Sequence, residues 1–78
     1  MNEKILEELQ KIFNSTFGAD SFSLTEKTPI KDILYISSFS YIILISEIEQ
    51  YYHIEIPNSV LRKFVTVKDV IKYLKRKL

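Results

Sequence analysis

The chain has 78 residues with one Gly, two Pro and no Cys, which bounds it to one small domain and excludes disulfide staples and thiolate metal sites. With 46% hydrophobic residues, its stability must rest on packed apolar side chains, and the shortage of Gly and Pro argues against a many-turned β fold. Net charge is +1, but residues 1–59 carry four basic against nine acidic side chains while residues 60–78 carry seven against one.

Residues 3–17 are predicted as the first helix. Ile5, Leu6, Leu9, Ile12 and Phe13 recur at helical spacing, and the stripe extends to Phe17. Asn2 is the expected N-cap and Gly18 the expected stop. Residues 18–37 form a long connection rich in Ser, Thr and Asp, with Phe22 and Leu24 as anchors onto the core. An unstructured run of that length is unusual in a small domain. A short helical turn is therefore expected near Pro29–Leu34, with Thr28 as its cap.

Residues 38–52 are the most apolar segment. Phe39, Ile42, Ile45, Ile48 and Tyr52 are expected on one apolar stripe, widened by Tyr41 and Leu44, with Glu47, Glu49 and Gln50 on the wet side. The β-branched run Ile42–Ile45 also suits a strand, but helical spacing without alternation decides for helix. Pro57 ends it and biases Ile56 to an extended conformation. Residues 59–64 read as one short helical turn with Leu61 and Phe64 inward. Thr66-Val67-Lys68-Asp69 reads as a capping sequence opening a last helix, 67–77, with Val67, Val70, Ile71 and Leu74 buried. The expected architecture is all-α: a small four-helix bundle, three longer helices plus one short one, with a long loop between the first two, residues 1–78 forming a single domain.

The longest apolar run, Tyr41–Ile45, falls far short of the roughly 20 residues that span a bilayer, and no signal-peptide pattern opens the chain. A cytoplasmic protein without membrane insertion is expected. His53, the single histidine, has no Cys, Ser or acid at a spacing that makes a triad or ligand set, and is read as a helix-end residue. Tyr51, Tyr52 and Tyr73 are read as core or rim aromatics. No catalytic residue and no metal site is expected. Lys72, Lys75, Arg76 and Lys77 fall in the last turns of a helix, where cations complement the macrodipole. A nucleic-acid-binding reading through that helix stays open, although residues 1–59 are net acidic.

The text from Thr28 to Leu74 carries an ordered set of features. A hydrophobic approach, Pro29-Ile30-Lys31-Asp32-Ile33, leads to Ser37-Ser38-Phe39. An apolar helix with Ile42, Leu44, Ile45, Ile48 and Glu49 follows, then Ile54-Glu55-Ile56-Pro57, then Thr66-Val67-Lys68-Asp69-Val70. This order resembles the acyl carrier proteins, a family of phosphopantetheine-bearing carriers. Ser38 stands nineteen residues ahead of Pro57, the separation at which the family carries its attachment serine. Gly18-Ala19-Asp20-Ser21-Phe22 resembles the family's serine tag more literally. Its context is wrong, because Thr and charged residues rather than an apolar helix follow Ser21.

The resemblance implies that Ser38 receives 4'-phosphopantetheine from coenzyme A through a phosphopantetheinyl transferase. The holo-protein then carries acyl, aminoacyl or polyketide thioesters for acyl- or aminoacyl-loading and chain-processing enzymes of fatty-acid or secondary-metabolite biosynthesis. It also implies a monomer with no catalytic activity of its own. Ser37 stands where the family carries an acid that helps the transferase place its metal and cofactor. Ser37 is the alternative attachment site, but Phe39 fits the hydrophobic position after the serine only if Ser38 is modified. Partner docking is implied for Phe39, Ile43, Ser46, Glu49 and Gln50, with Glu47 nearby; Ile43 is either exposed there or a flank of the buried stripe. A carrier-like scaffold that is never modified is the competing reading.

Overall fold

The structure is a computed structural model that describes residues 2–18 and 23–78. Five helices follow in order: α1 (Asn2–Phe17), α2 (Ile30–Ile36), α3 (Ser38–Tyr52), α4 (Asn58–Leu61) and α5 (Val67–Lys77). Among the described residues there is no strand, only an isolated antiparallel bridge between Pro29 and Thr66. The all-α expectation holds. The turn expected near Pro29–Leu34 is a two-turn helix, so the long first connection contains α2.

α1 runs to Gly18, whose N–H donates to the Asn14 carbonyl at 2.8 Å with φ at +106°. An L side chain is strained in that conformation, so Gly is the residue that lets the chain leave the helix there. Ile5, Leu9, Ile12 and Phe13 are buried, and Phe17 stacks on Phe13 with ring centroids 4.5 Å apart. The side chain of Asn2, expected as a cap, lies outside the described residues, as do Phe22 and Ser21.

Leu24 is buried as expected, and its N–H donates to the Gln10 side-chain oxygen on α1. Thr28 does not cap α2. Its hydroxyl instead accepts from the Thr25 N–H at 2.9 Å, closing a turn, and Pro29 occupies the cap position with no side-chain bond. The connection is held by main chain. Ile30 N–H donates to the Val65 carbonyl, Val67 N–H to the Thr28 carbonyl and Lys68 N–H to the Glu26 carbonyl, each at 2.9 Å. These bonds satisfy loop carbonyls together with orphan amides at the starts of α2 and α5.

The same junction is braced by Asp69, whose Oδ2 accepts from the Thr66 N–H at 3.0 Å and the Val65 N–H at 2.9 Å. That is the carboxylate half of a capping box, as the sequence predicts. Val67, Val70, Ile71 and Leu74 are buried, also as predicted. In α4 the structure departs slightly: Phe64 is buried beyond the helix end, while Leu61 is only partly covered.

α3 packs on α1 and α2, and α1 also meets α5. The buried face of α3 is Leu44, Ile45 and Ile48, with Tyr41 and Tyr52 packed beside it. Ile42, expected on the apolar stripe, is instead exposed, and Phe39, placed on that stripe and also on the docking face, is exposed as the docking reading expects. Apolar residues cover more than half of this helix, so periodicity alone does not choose which arc turns inward; contact with α1 and α2 does. Tyr52 closes the far end, its hydroxyl donating to Glu8 Oε1 on α1 at 2.7 Å. Burial and that carboxylate push the Tyr52 phenol well above its ordinary range. Tyr73 is a rim aromatic, its hydroxyl donating to the Glu55 carbonyl at 3.1 Å. No polar or charged side chain is buried among the described residues.

Candidate functional site

A single residue, Ser37, joins α2 to α3. Its backbone is extended, with φ −169° and ψ 112°. Its N–H donates to the Ile33 carbonyl at 3.2 Å and ends α2. Its Oγ accepts from the Ser40 N–H at 3.0 Å and caps α3. One serine thus satisfies an amide of its own and an orphan amide of the next helix, the role for which Ser is favoured at this position.

Ser38 is the first residue of α3 and is exposed. Its hydroxyl has no hydrogen-bond partner among the described residues. The two neighbouring serines are therefore not equivalent: Ser37 Oγ is engaged, and Ser38 Oγ is open to solvent. The amides of Ser38 and Phe39 lie in the first turn, where no intrahelical acceptor exists. With the positive end of a fifteen-residue helix behind them, an anionic ester oxygen on Ser38 is favoured electrostatically.

The other predicted site residues fall on both sides of expectation. Phe39, Ile43, Ser46, Glu47 and Gln50 are exposed on α3, which settles Ile43 as an open position. Glu49 is half-buried, and its Oε2 accepts from the Ile56 N–H at 2.7 Å. It ties the α3–α4 connection to α3, and that carboxylate is turned inward along the connection. Sequence reasoning missed Leu34, Tyr35, Ile36 and Ile42, all exposed around Ser38. The available signal was the lack of any charged residue between Asp32 and Glu47. His53 ends α3 in the left-handed region at φ 56°, its N–H donating to the Glu49 carbonyl. It is a helix-end residue, as predicted.

Between α1, α2, α3 and α5 lies an apolar cavity of about 20 Å³, lined in part by Ile30, Ile33, Tyr41 and Leu44. That is space for about one water, so the interior of the bundle is full. No helix among the described residues is long and apolar enough to cross a membrane.

Residues 7–74 match the family model described as a phosphopantetheine attachment site. The chain is 30% identical to an acyl carrier protein of Phytoplasma australiense, across 95% of this chain and 97% of that one. It is 32% identical to an acyl carrier protein of Tropheryma whipplei, across 92% and 88%, and 26% identical to one of Thermotoga maritima, across 97% and 94%. No solved structure matches. A family match over most of the length, joined to an all-helical fold with an open serine at the head of α3, places the chain in the acyl carrier protein family, whose prosthetic group is 4'-phosphopantetheine.

Proposed function

We propose that Ser38 is the attachment residue, and that the loaded protein tethers acyl, aminoacyl or polyketide intermediates as thioesters and presents them to successive enzymes of fatty-acid or secondary-metabolite biosynthesis. The observation that carries the assignment is the division of labour between the two serines: Ser37 Oγ is held by the Ser40 N–H, whereas Ser38 Oγ is exposed and unengaged. In the loading step the bond formed is Ser38 Oγ to the phosphorus bearing the pantetheine of coenzyme A. The bond broken is the pyrophosphate link on that phosphorus, and adenosine 3',5'-bisphosphate leaves. The serine proton passes to a base of the transferase, since no histidine or carboxylate of this chain bonds Ser38 among the described residues.

The residues present fit the group. The hydroxyl is open, the helix end favours a phosphodiester, and Ser37 fixes the backbone conformation on which Ser38 stands. When bound, the arm supplies the thiol that carries the cargo, while the protein supplies position and recognition. As part of the same proposal the chain is a non-catalytic, cytoplasmic monomer whose partners are the transferase and the loading and processing enzymes, not nucleic acid.

Ser37 at the family's acid position favours one second reading, an unmodified carrier-like scaffold. Intact mass after incubation with coenzyme A and transferases of broad specificity separates the two. The expected result is a gain of one phosphopantetheine that is lost in Ser38→Ala and kept in Ser37→Ala. A gain lost only in Ser37→Ala moves the site, and no gain with any transferase selects the scaffold.

A further inference from the structure

More than a quarter of the chain is charged, yet no charged residue occurs between Asp32 and Glu47. That stretch contains the end of α2, the Ser37 junction, Ser38 and the first turns of α3. It is also where the apolar surface is concentrated: Tyr35 is 92% exposed, Phe39 71%, Ile42 67% and Ile36 52%. Phe39, Ile42, Ile43 and Ser46 share one helix face by their spacing, and Tyr35 and Ile36 immediately precede the junction. Counted over all their atoms, the exposed surface of Tyr35, Ile36, Phe39, Ile42 and Ile43 sums to roughly 600 Å², the scale at which apolar surface on a monomer is often functional. Ile42 and Ser46 also line a groove of about 430 Å³ between α3 and α4, whose lining joins Ile45, Ile56 and Leu61 to the polar Glu49 and Asn58.

None of this surface holds the bundle together, because α3 buries Leu44, Ile45 and Ile48 instead. Its position decides what covers it. Any protein that brings a reactive centre to Ser38 Oγ must lie over the residues flanking that atom in the chain and on the helix. The chemistry of the face decides the chemistry of the partner. A basic docking surface meets no carboxylate on α3 before Glu47, and Glu49 is engaged by the Ile56 N–H.

We propose that the enzymes acting on Ser38 dock through an uncharged, apolar surface laid on the collar formed by Tyr35, Ile36, Phe39, Ile42 and Ile43, with an aliphatic or aromatic side chain seated in the groove between α3 and α4. The inference rests on Ser38 being the attachment point. Docking of this kind is insensitive to ionic strength, whereas an ion-paired interface weakens as salt shortens the screening length.

The test uses the full-length Ser38→Ala protein, which cannot be loaded, and measures its affinity for a broad-specificity phosphopantetheinyl transferase by calorimetry. Adding Phe39→Ser or Ile42→Ser is expected to weaken binding at least about fivefold, the scale on which truncation of a central interface residue registers, with Glu7→Gln, at an exposed position on α1, as a near-neutral control. Raising salt from about 50 to about 500 mM, which cuts the screening length severalfold, is expected to change affinity less than twofold. Both added substitutions replace exposed side chains, so circular dichroism melts should match those of the parent. Binding that is untouched by the collar substitutions, that collapses with salt, or that is absent overturns the proposal. So does a collar-dependent dimer in sedimentation, or collar-dependent binding to phosphatidylcholine–phosphatidylglycerol vesicles, either of which assigns the face to another occupant. Loading of the unsubstituted protein, followed by mass, reports separately on Ser38 itself.

Discussion

Removing one oxygen atom at Ser37 should be felt at the head of α3. In Ser37→Ala the Ser40 amide loses its 3.0 Å acceptor, and the first turn of α3 keeps only the main-chain bond from Tyr41 N–H to the Ser37 carbonyl, at 3.1 Å. Loss of a Ser cap costs about 1 kcal/mol. For 78 residues, an unfolding entropy of about 2.1 cal/mol/K per residue turns that loss into a fall in Tm of about 6 °C. Ser37→Asp keeps an acceptor in place and adds negative charge at the positive end of the helix, so its Tm should equal or exceed that of the unsubstituted protein. Thermal melts of the three proteins by circular dichroism make the comparison. Initial loading rates by intact mass, read in parallel, should fall in Ser37→Ala, because Ser38 then stands on a frayed turn, and should recover in Ser37→Asp. A Ser37→Ala melt within about 1 °C of the unsubstituted protein would refute the role given to this cap.

Two further outcomes follow from the packing. The Asp69 carboxyl is held below its ordinary range chiefly by the Val65 and Thr66 N–H groups, which outweigh the opposing effect of burial, with Lys72 and Lys68 adding lesser help. A depressed carboxyl stabilises the fold above its unfolded pKa, about 3.9, and that contribution disappears as pH falls through the lower folded value. Urea midpoints measured against pH should therefore drop on acidification below about pH 4, and the part of that drop due to this residue should be absent in Asp69→Asn, which is also less stable by about 1 kcal/mol at neutral pH. Leu74 is fully buried, and Leu74→Ala should cost about 2–5 kcal/mol, a large share of the roughly 4–12 kcal/mol available to a domain of this length. Equilibrium denaturation should show it, and a loss under about 1 kcal/mol would mean that Leu74 is not packed in the core as described.

The parts of the fold that sequence alone reveals are those where one physical signal dominates. α5 has a narrow apolar stripe between charged faces and an Asp positioned to cap it, so its bounds and buried set follow directly. Gly18 marks the end of α1 because a left-handed turn is needed there. α3 is legible as a helix but not in its orientation, since Phe39, Ile42 and Ile43 are as apolar as Leu44, Ile45 and Ile48; only tertiary contact separates them. Thr28 is misread because a Thr before a Pro-led helix suggests a cap, whereas its hydroxyl is taken by Thr25 three residues back. The spacing from Pro57 singles out Ser38, but the engagement of Ser37 Oγ that distinguishes the two hydroxyls is a matter of three-dimensional geometry. Glu49 looks like a surface acid in the text and folds back to hold Ile56 because the chain reverses after His53.

α2 bears on how the domain breathes. It buries only Ile30 and Ile33, leaves Leu34, Tyr35 and Ile36 to solvent, and hangs from the head of α5 by main-chain bonds on one side and from the Ser37 junction on the other. Helices with few buried apolar contacts open at lower free energy than the elements around them. Ile30 and Ile33 also wall the small interior cavity, so excursions of α2 are the least costly way for the inside of the bundle to meet solvent. Such an opening would involve the segment that leads, through Ser37, directly into Ser38.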